Sequence, residues 1–100
     1  MALPYHEPVS ELSPATRDVH RALSSVIEEL EAIDWYNQRA DVTADESLKA
    51  VLIHNRDEEI EHAAMTLEWL RRRMPPLDEA MKTYLYTMKP ITEIEEESQR

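Results

Sequence analysis

The sequence predicts an all-α fold, an antiparallel two-helix hairpin followed by a short C-terminal helix, and three observations carry that prediction. Its 100 residues include no glycine, which argues against tight β-hairpin turns, phosphate-cradling loops and dinucleotide fingerprints. Apolar residues recur three or four apart along two long runs, the spacing of a single buried helix face. The runs are separated by capping residues in RADVTADES and by the pair Pro75-Pro76, both of which punctuate helices.

Each element follows in chain order. MALPYHEPVSEL, residues 1–12, is polar, aperiodic and proline-containing, and is expected to form a flexible arm that orders only by docking. Ser13 can cap free amides and Pro14 loses no bond at a first helical position, so a helix starts there. It should run to about Arg39, with Val19, Leu23, Val26, Ile27, Leu30 and Ile33 on its buried face. Thr43 and Glu46 have the spacing of a capping box, expected to open a second helix that runs to about Met74. At about 1.5 Å per residue each helix spans roughly 40 Å, longer than a small monomeric domain needs. Pro75 and Pro76 end the second helix, and Leu77, Met81, Tyr84, Leu85 and Met88 place a third that Pro90 stops. The helical domain is thus drawn over residues 13–89. Residues 90–100 form a tail in which Thr92 and Glu95 repeat the capping spacing and allow one or two turns.

Composition narrows the functional classes. A chain of this size buries only about 60 to 65% of its unfolded surface if it folds alone, so a lone monomer should be marginal. With no cysteine, disulfides and thiolate metal centres are excluded, while a hard-cation site stays open. The net charge of −10 repels a phosphate backbone, so nucleic acid is not an expected partner. No basic region leads into a long apolar run, and no stretch approaches the roughly 18 apolar residues that span a membrane. A cytoplasmic protein is expected, with no membrane partner.

The chemistry lies in NRDEEIEHAAMTLEWL, residues 55 to 70. At about 100° per residue, Leu48, Leu52, Ala63 and Leu70 share one face, Glu59 falls about 20° from its centre and His62 about 80° away on the same side. Glu58, Glu61 and His54 are expected to point the other way. On the first helix Glu29 lies at the stripe margin beside Val26, Ile33 and Tyr36, with Glu28 opposite. An ionised carboxylate removed from water costs several kcal/mol unless it is paired or coordinated, and a divalent cation would stabilise Glu29, Glu59 and His62 together. Glu-x-x-His on one helix and a single Glu on another is half of the ligand set of carboxylate di-iron bundles, which draw on four helices. Half a site implies a twofold partner: a homodimer would supply the rest and cover the apolar stripes that a lone hairpin exposes. The other reading of Glu59 is a structural ion pair with Arg56 or Arg39. Glu28, Glu31 and Asp34 form an acidic face beside Trp35 that is either simply solvated or, at a subunit interface, collects calcium or another divalent cation. Tyr36 is either a core residue with its hydroxyl bonded or a donor to a metal ligand.

The segments EELEAIDWYNQR, residues 28 to 39, and HNRDEEIEHAAMTLEWLRR, residues 54 to 72, together with TYLYT and PIT, make the chain resemble the encapsulated ferritin family, short ferritin-like proteins packaged within encapsulin nanocompartments. The resemblance implies a ferroxidase whose two-helix subunits pair into a ferritin-like four-helix bundle, the dimers forming a ring-shaped decamer. It implies that Glu29, Glu59 and His62 from each of two subunits hold two irons, that Tyr36 acts beside them among the catalytic residues, and that Glu28 and Glu31 attract metal at the entry. It also implies an encapsulin shell as partner and compartment. ITEIEEESQR has no apolar, glycine-containing tail of the kind that binds such a shell, so either the chain is cut short or targeting differs. Two rivals stand beside the ferroxidase: a non-enzymatic acidic adaptor or cation-binding dimer, and an oxidase or peroxidase using manganese or zinc, which the same O and N ligands accept.

Overall fold

The computed structural model describes residues 4–99; the first three residues of the expected arm and the last of the tail lie outside that range. Four α-helices follow one another, with no strand among the described residues: α1 Pro14–Val42, α2 Glu46–Arg73, α3 Pro75–Tyr84 and α4 Ile91–Ser98. A short 3-10 turn at Val9–Glu11 precedes them. The two long helices pack along their length as an antiparallel hairpin, α3 packs on α2, and α4 on α3. Extents of 49 × 43 × 20 Å describe a thin, flat body. No described helix is long and apolar enough to cross a membrane.

Local chemistry explains the boundaries. Ser13 caps α1, its hydroxyl accepting from the Thr16 amide at 3.1 Å with Pro14 behind it. The second cap differs from the capping box expected at Thr43 and Glu46. Thr43 instead ends α1, which runs three residues past Arg39, and its hydroxyl accepts from the Asp45 amide at 3.2 Å. Asp45 is the N-cap of α2, accepting from the Leu48 amide at 2.8 Å. An ionised carboxylate two residues closer to the helix meets both the free amides and the positive end of the dipole, and outcompetes the hydroxyl.

The third helix also stops early, at Tyr84 rather than near Met88. Leu85 is extended and Tyr86 takes a left-handed φ of 58°. The Thr87 hydroxyl donates to the Tyr84 carbonyl at 2.8 Å, satisfying one of the carbonyls a helix end leaves bare and replacing the next turn with a local bond. Pro90 also disfavours the helical conformation at Lys89, the residue before it. Past Pro90 the tail forms α4, anchored by buried Ile94 and by Lys89 Nζ to Glu97 Oε2 at 3.0 Å.

The core of one chain is thin: Val26, Ala40, Ala63, Leu70 and Ile94 are its buried apolar residues. Two members of the expected α1 stripe, Leu23 and Leu30, remain 38% and 52% exposed. The hairpin has only one helix on each side to offer, so part of each stripe stays uncovered, as a chain with so small a core requires. The arm lies against α1, with Tyr5 stacked on His20 at 4.1 Å between ring centroids and Arg17 Nε donating to the Val9 carbonyl at 3.1 Å.

Candidate metal centre

Near the middle of the hairpin α1 brings Glu29 against α2. The Glu29 carboxyl is pushed above its ordinary value, first by burial, then by the charge of Glu59 and more weakly by Glu28; His62 and the Thr66 hydroxyl oppose the shift. Its Oε2 atom is buried and has no hydrogen-bond partner. A buried carboxylate oxygen left without a donor is costly, and here the neighbours of the carboxyl are a second carboxylate, an imidazole and the Thr66 hydroxyl.

On α2 the i, i+3 spacing sets His62 Nδ1 3.7 Å from Glu59 Oε2, with the Glu59 side chain 27% and the His62 side chain 49% exposed. The alternative reading of Glu59 as a structural ion pair finds no support in its two proposed partners. Arg56 donates to Asn37 Oδ1 at 3.0 Å and to Asp57 Oδ1, and Arg39 lies over the Tyr36 ring, 5.6 Å from its centroid. The structure thus brings Glu29, Glu59 and His62 near one another, although His62, expected to face inward, is half exposed. An unpaired buried oxygen, a second carboxylate and an imidazole are hard and borderline donors that suit a divalent transition-metal ion. Among the described residues, however, no three His, Asp or Glu side chains converge closely enough to hold a metal ion by themselves.

The remaining candidates lie around this group. Glu28 is exposed and Glu31 half-buried; Glu28 is near enough to act on Glu29. Trp35 is half-exposed beside them. Tyr36 is half-buried beneath Arg39.

Two residues near the site were not expected there. Glu58, placed outward by helical geometry, has Oε1 3.7 Å from His54 Nε2 and Oε2 3.9 Å from His62 Nε2. The expected clean division of the EE pair and the two histidines therefore fails, with His62 facing both carboxylates. The spacing His54, Glu58, His62 at successive fourth residues was the available signal. Thr66 donates to the His62 carbonyl at 3.1 Å and lies close enough to Glu29 to favour its charged form; its position four residues after His62 was the only hint.

Residues 4–88 match the EncFtn-like family. The chain belongs to the EncFtn-like family. Within similar proteins, a "ferritin-like protein" of Thermotoga maritima is 64% identical over 98 residues, 98% of this chain and 86% of that one. An "encapsulated ferritin-like protein" of Rhodospirillum rubrum is 59% identical over 90% of this chain, which spans 64% of the relative. The "encapsulin nanocompartment cargo protein EncC" of Myxococcus xanthus is 36% identical over 72% of this chain and 55% of its own length. A crystal structure of a Nitrosomonas europaea protein superposes with a TM-score of 0.84 at 61% identity, covering 87% of this chain and 96% of that one. The EncFtn-like chain therefore shares its helical fold with a solved structure, and its long helices carry the grouped residues.

Proposed function

We propose that this EncFtn-like protein is a ferroxidase that oxidises Fe(II) to Fe(III) with O₂ at a di-iron site completed by a second copy of the chain. The observation that carries the reading is the buried, unpartnered Glu29 Oε2 with Glu59 and His62 around it. A cation would neutralise the repulsion between the two carboxylates and occupy the empty acceptor, which offers a physical reason to keep charge in a thin core.

Glu29, Glu59 and His62 from each of two chains hold the Fe(II) substrate, and their oxygen-rich set stabilises the ferric product more than the ferrous substrate, which favours electron loss. Glu59 would supply carboxylate oxygen and His62 imidazole nitrogen to the iron held there. Twofold pairing also covers Leu23 and Leu30. Glu28 and Glu31 on α1 gather Fe(II), calcium or another divalent cation before entry, and Tyr36 supports the site from the same helix. The dimers assemble further, into a ring-shaped decamer, and the ferric product passes to a mineral inside an encapsulin shell. Compartment and partner rest on relatives named as encapsulated and as nanocompartment cargo.

The deciding experiment is aerobic Fe(II) addition, followed optically, to the wild type and to Glu59→Ala. Loss of the fast ferric signal in the variant is the expected result. Equal rates would overturn the ferroxidase reading and leave a cation-binding dimer or adaptor. Metal analysis of purified protein separates iron from manganese or zinc.

A further inference from the structure

We infer that the segment 86–91 of one chain docks into the groove between α2 and α3 of a second copy, and receives that copy's segment in its own groove. The inference rests on the proposed assembly of pairs and names the contact that joins one pair to the next. Pairing through Glu29, Glu59 and His62 uses the middle of the hairpin, whereas the groove begins at Ala64 and reaches Arg71 near the end of α2.

The groove measures about 540 Å³, and Ala64, Leu67, Met81 and Leu85 form its apolar wall. Beside it Tyr86 and Met88 are fully exposed and Ile91 is 70% exposed. Single exposed apolar side chains are ordinary, but three large ones so close in the chain make a patch of the kind that marks an interaction site. Tyr86 also holds φ at 58°, a conformation uncommon for an aromatic residue. Its fully exposed ring recovers none of that cost by packing within its own chain.

The occupant is a second copy because shape and charge both fit one. Hole and knob adjoin, since Tyr86 lines the groove and also begins the exposed segment. Two chains related by a twofold axis can therefore exchange Met88 and Ile91 and form the same contact twice. Beyond the segment, α4 carries Glu93, Glu95 and Glu96, which have no basic partner among the described residues. Arg71 and Lys82 line the groove, and Arg72 and Arg73 follow at the end of α2. The Arg73 guanidinium lies over the Trp69 ring at 4.7 Å, with no carboxylate partner among the described residues. In a chain of net charge −10, this corner is where the acidic α4 of another copy meets attraction instead of repulsion.

The test uses the full chain, with mass read by sedimentation and the metal site read by titration with Co(II), an air-stable ion that suits the same O and N ligands. The wild type should be larger than a pair. Tyr86→Glu/Met88→Glu changes only fully exposed positions, so it should keep the melting temperature, cut the mass to that of a pair and leave Co(II) affinity unchanged. Because the chain has no cysteine, a mixture of Met88→Cys chains and Leu67→Cys chains reads the contact directly. Oxidation should link position 88 of one chain to position 67 of the other, as found by peptide mapping. A wild type no larger than a pair, an unchanged mass in the double variant, or no such link overturns the proposal and leaves the segment to a different partner. Loss of Co(II) binding along with the mass would assign the segment to the metal-site pair and overturn it as a separate contact. The reading beneath is tested apart: if His62→Ala binds Co(II) as well as the wild type, the metal centre falls, while mass and cross-link still decide the segment 86–91.

Discussion

The Glu59 carboxylate on α2 adds its charge to the burial that raises the Glu29 carboxyl on α1 above its ordinary 4.5. The native chain therefore holds a proton on Glu29 more tightly than the unfolded chain does. Its contribution to stability is full below the unfolded value and is lost as pH rises through the raised native one. Thermal melts of metal-free protein from about pH 4 to about pH 7 should show the wild type losing stability across that window. Glu29→Gln should flatten the loss and melt higher at neutral pH. Co(II) should raise the melting temperature of the wild type at neutral pH and leave Glu29→Gln unmoved.

Among the proposed ligands and their neighbour, rate effects should differ in size. Glu29→Ala and His62→Ala should bring aerobic Fe(II) oxidation down to the background of free iron. Tyr36→Phe, whose ring lies beneath Arg39, should cost about tenfold, the low end for a group that acts through a ligand's surroundings. Initial rates of ferric absorbance check both.

Leu30, 52% exposed on one chain despite its place in the apolar stripe, should be covered in the working oligomer. Burying its exposed half is worth about 1 kcal/mol per chain, and a charge in its place adds a desolvation penalty. Leu30→Glu should lower the mass measured by sedimentation and abolish Co(II) binding with it. An unchanged mass would remove Leu30 from the interface.

The α2 cap separates two chemistries. Asp45→Ala should destabilise by about 1 kcal/mol, a shift of roughly 4 to 8 °C for a domain this size. Glu46→Ala should leave the melting temperature nearly unchanged, because Asp45 and not a Thr43–Glu46 box caps the helix.

Arg71 joins α2 to α3, its guanidinium donating to Glu68 at 2.7 Å and to Asp78 at 2.5 Å. Hydrogen bonds from Arg71 and then Arg72 hold the Glu68 carboxyl down at about 2, and Lys82 and then Arg71 lower Asp78. Depressed carboxylates contribute stability above their unfolded values and lose it as pH falls through the native ones. The α3 amides should therefore exchange faster as pH falls from about 4.5 toward about 2, once the intrinsic pH dependence of exchange is removed. Arg71→Ala should show the faster exchange already at neutral pH, and high salt should mimic it in the wild type.

Much of this molecule is legible in local order. Ser13-Pro14 and Pro75-Pro76 mark helix ends because capping and fixed backbone angles act within a few residues. Glu29, Glu59 and His62 stand out because a helix turns by a constant angle, so a charged residue in an apolar stripe can be read from spacing. Where two local signals compete, spacing was not enough: Asp45 displaced Thr43, and the Thr87 hydroxyl cut α3 short at Tyr84.

The sequence by itself determined that the chain is helical, that its two long helices form a hairpin, and that Glu29 and Glu59 lean toward the packed side of their helices; His62 stays half exposed. Tertiary structure decided which groups meet: that Glu59 bears on Glu29 across the hairpin, that one Glu29 oxygen is buried without a donor, and that Leu30 stays uncovered. Periodicity reports the direction of a side chain from its own helix axis. Burial and charge coupling depend on the distance to a second helix about thirty residues away and on rotamers, and no local pattern carries that distance.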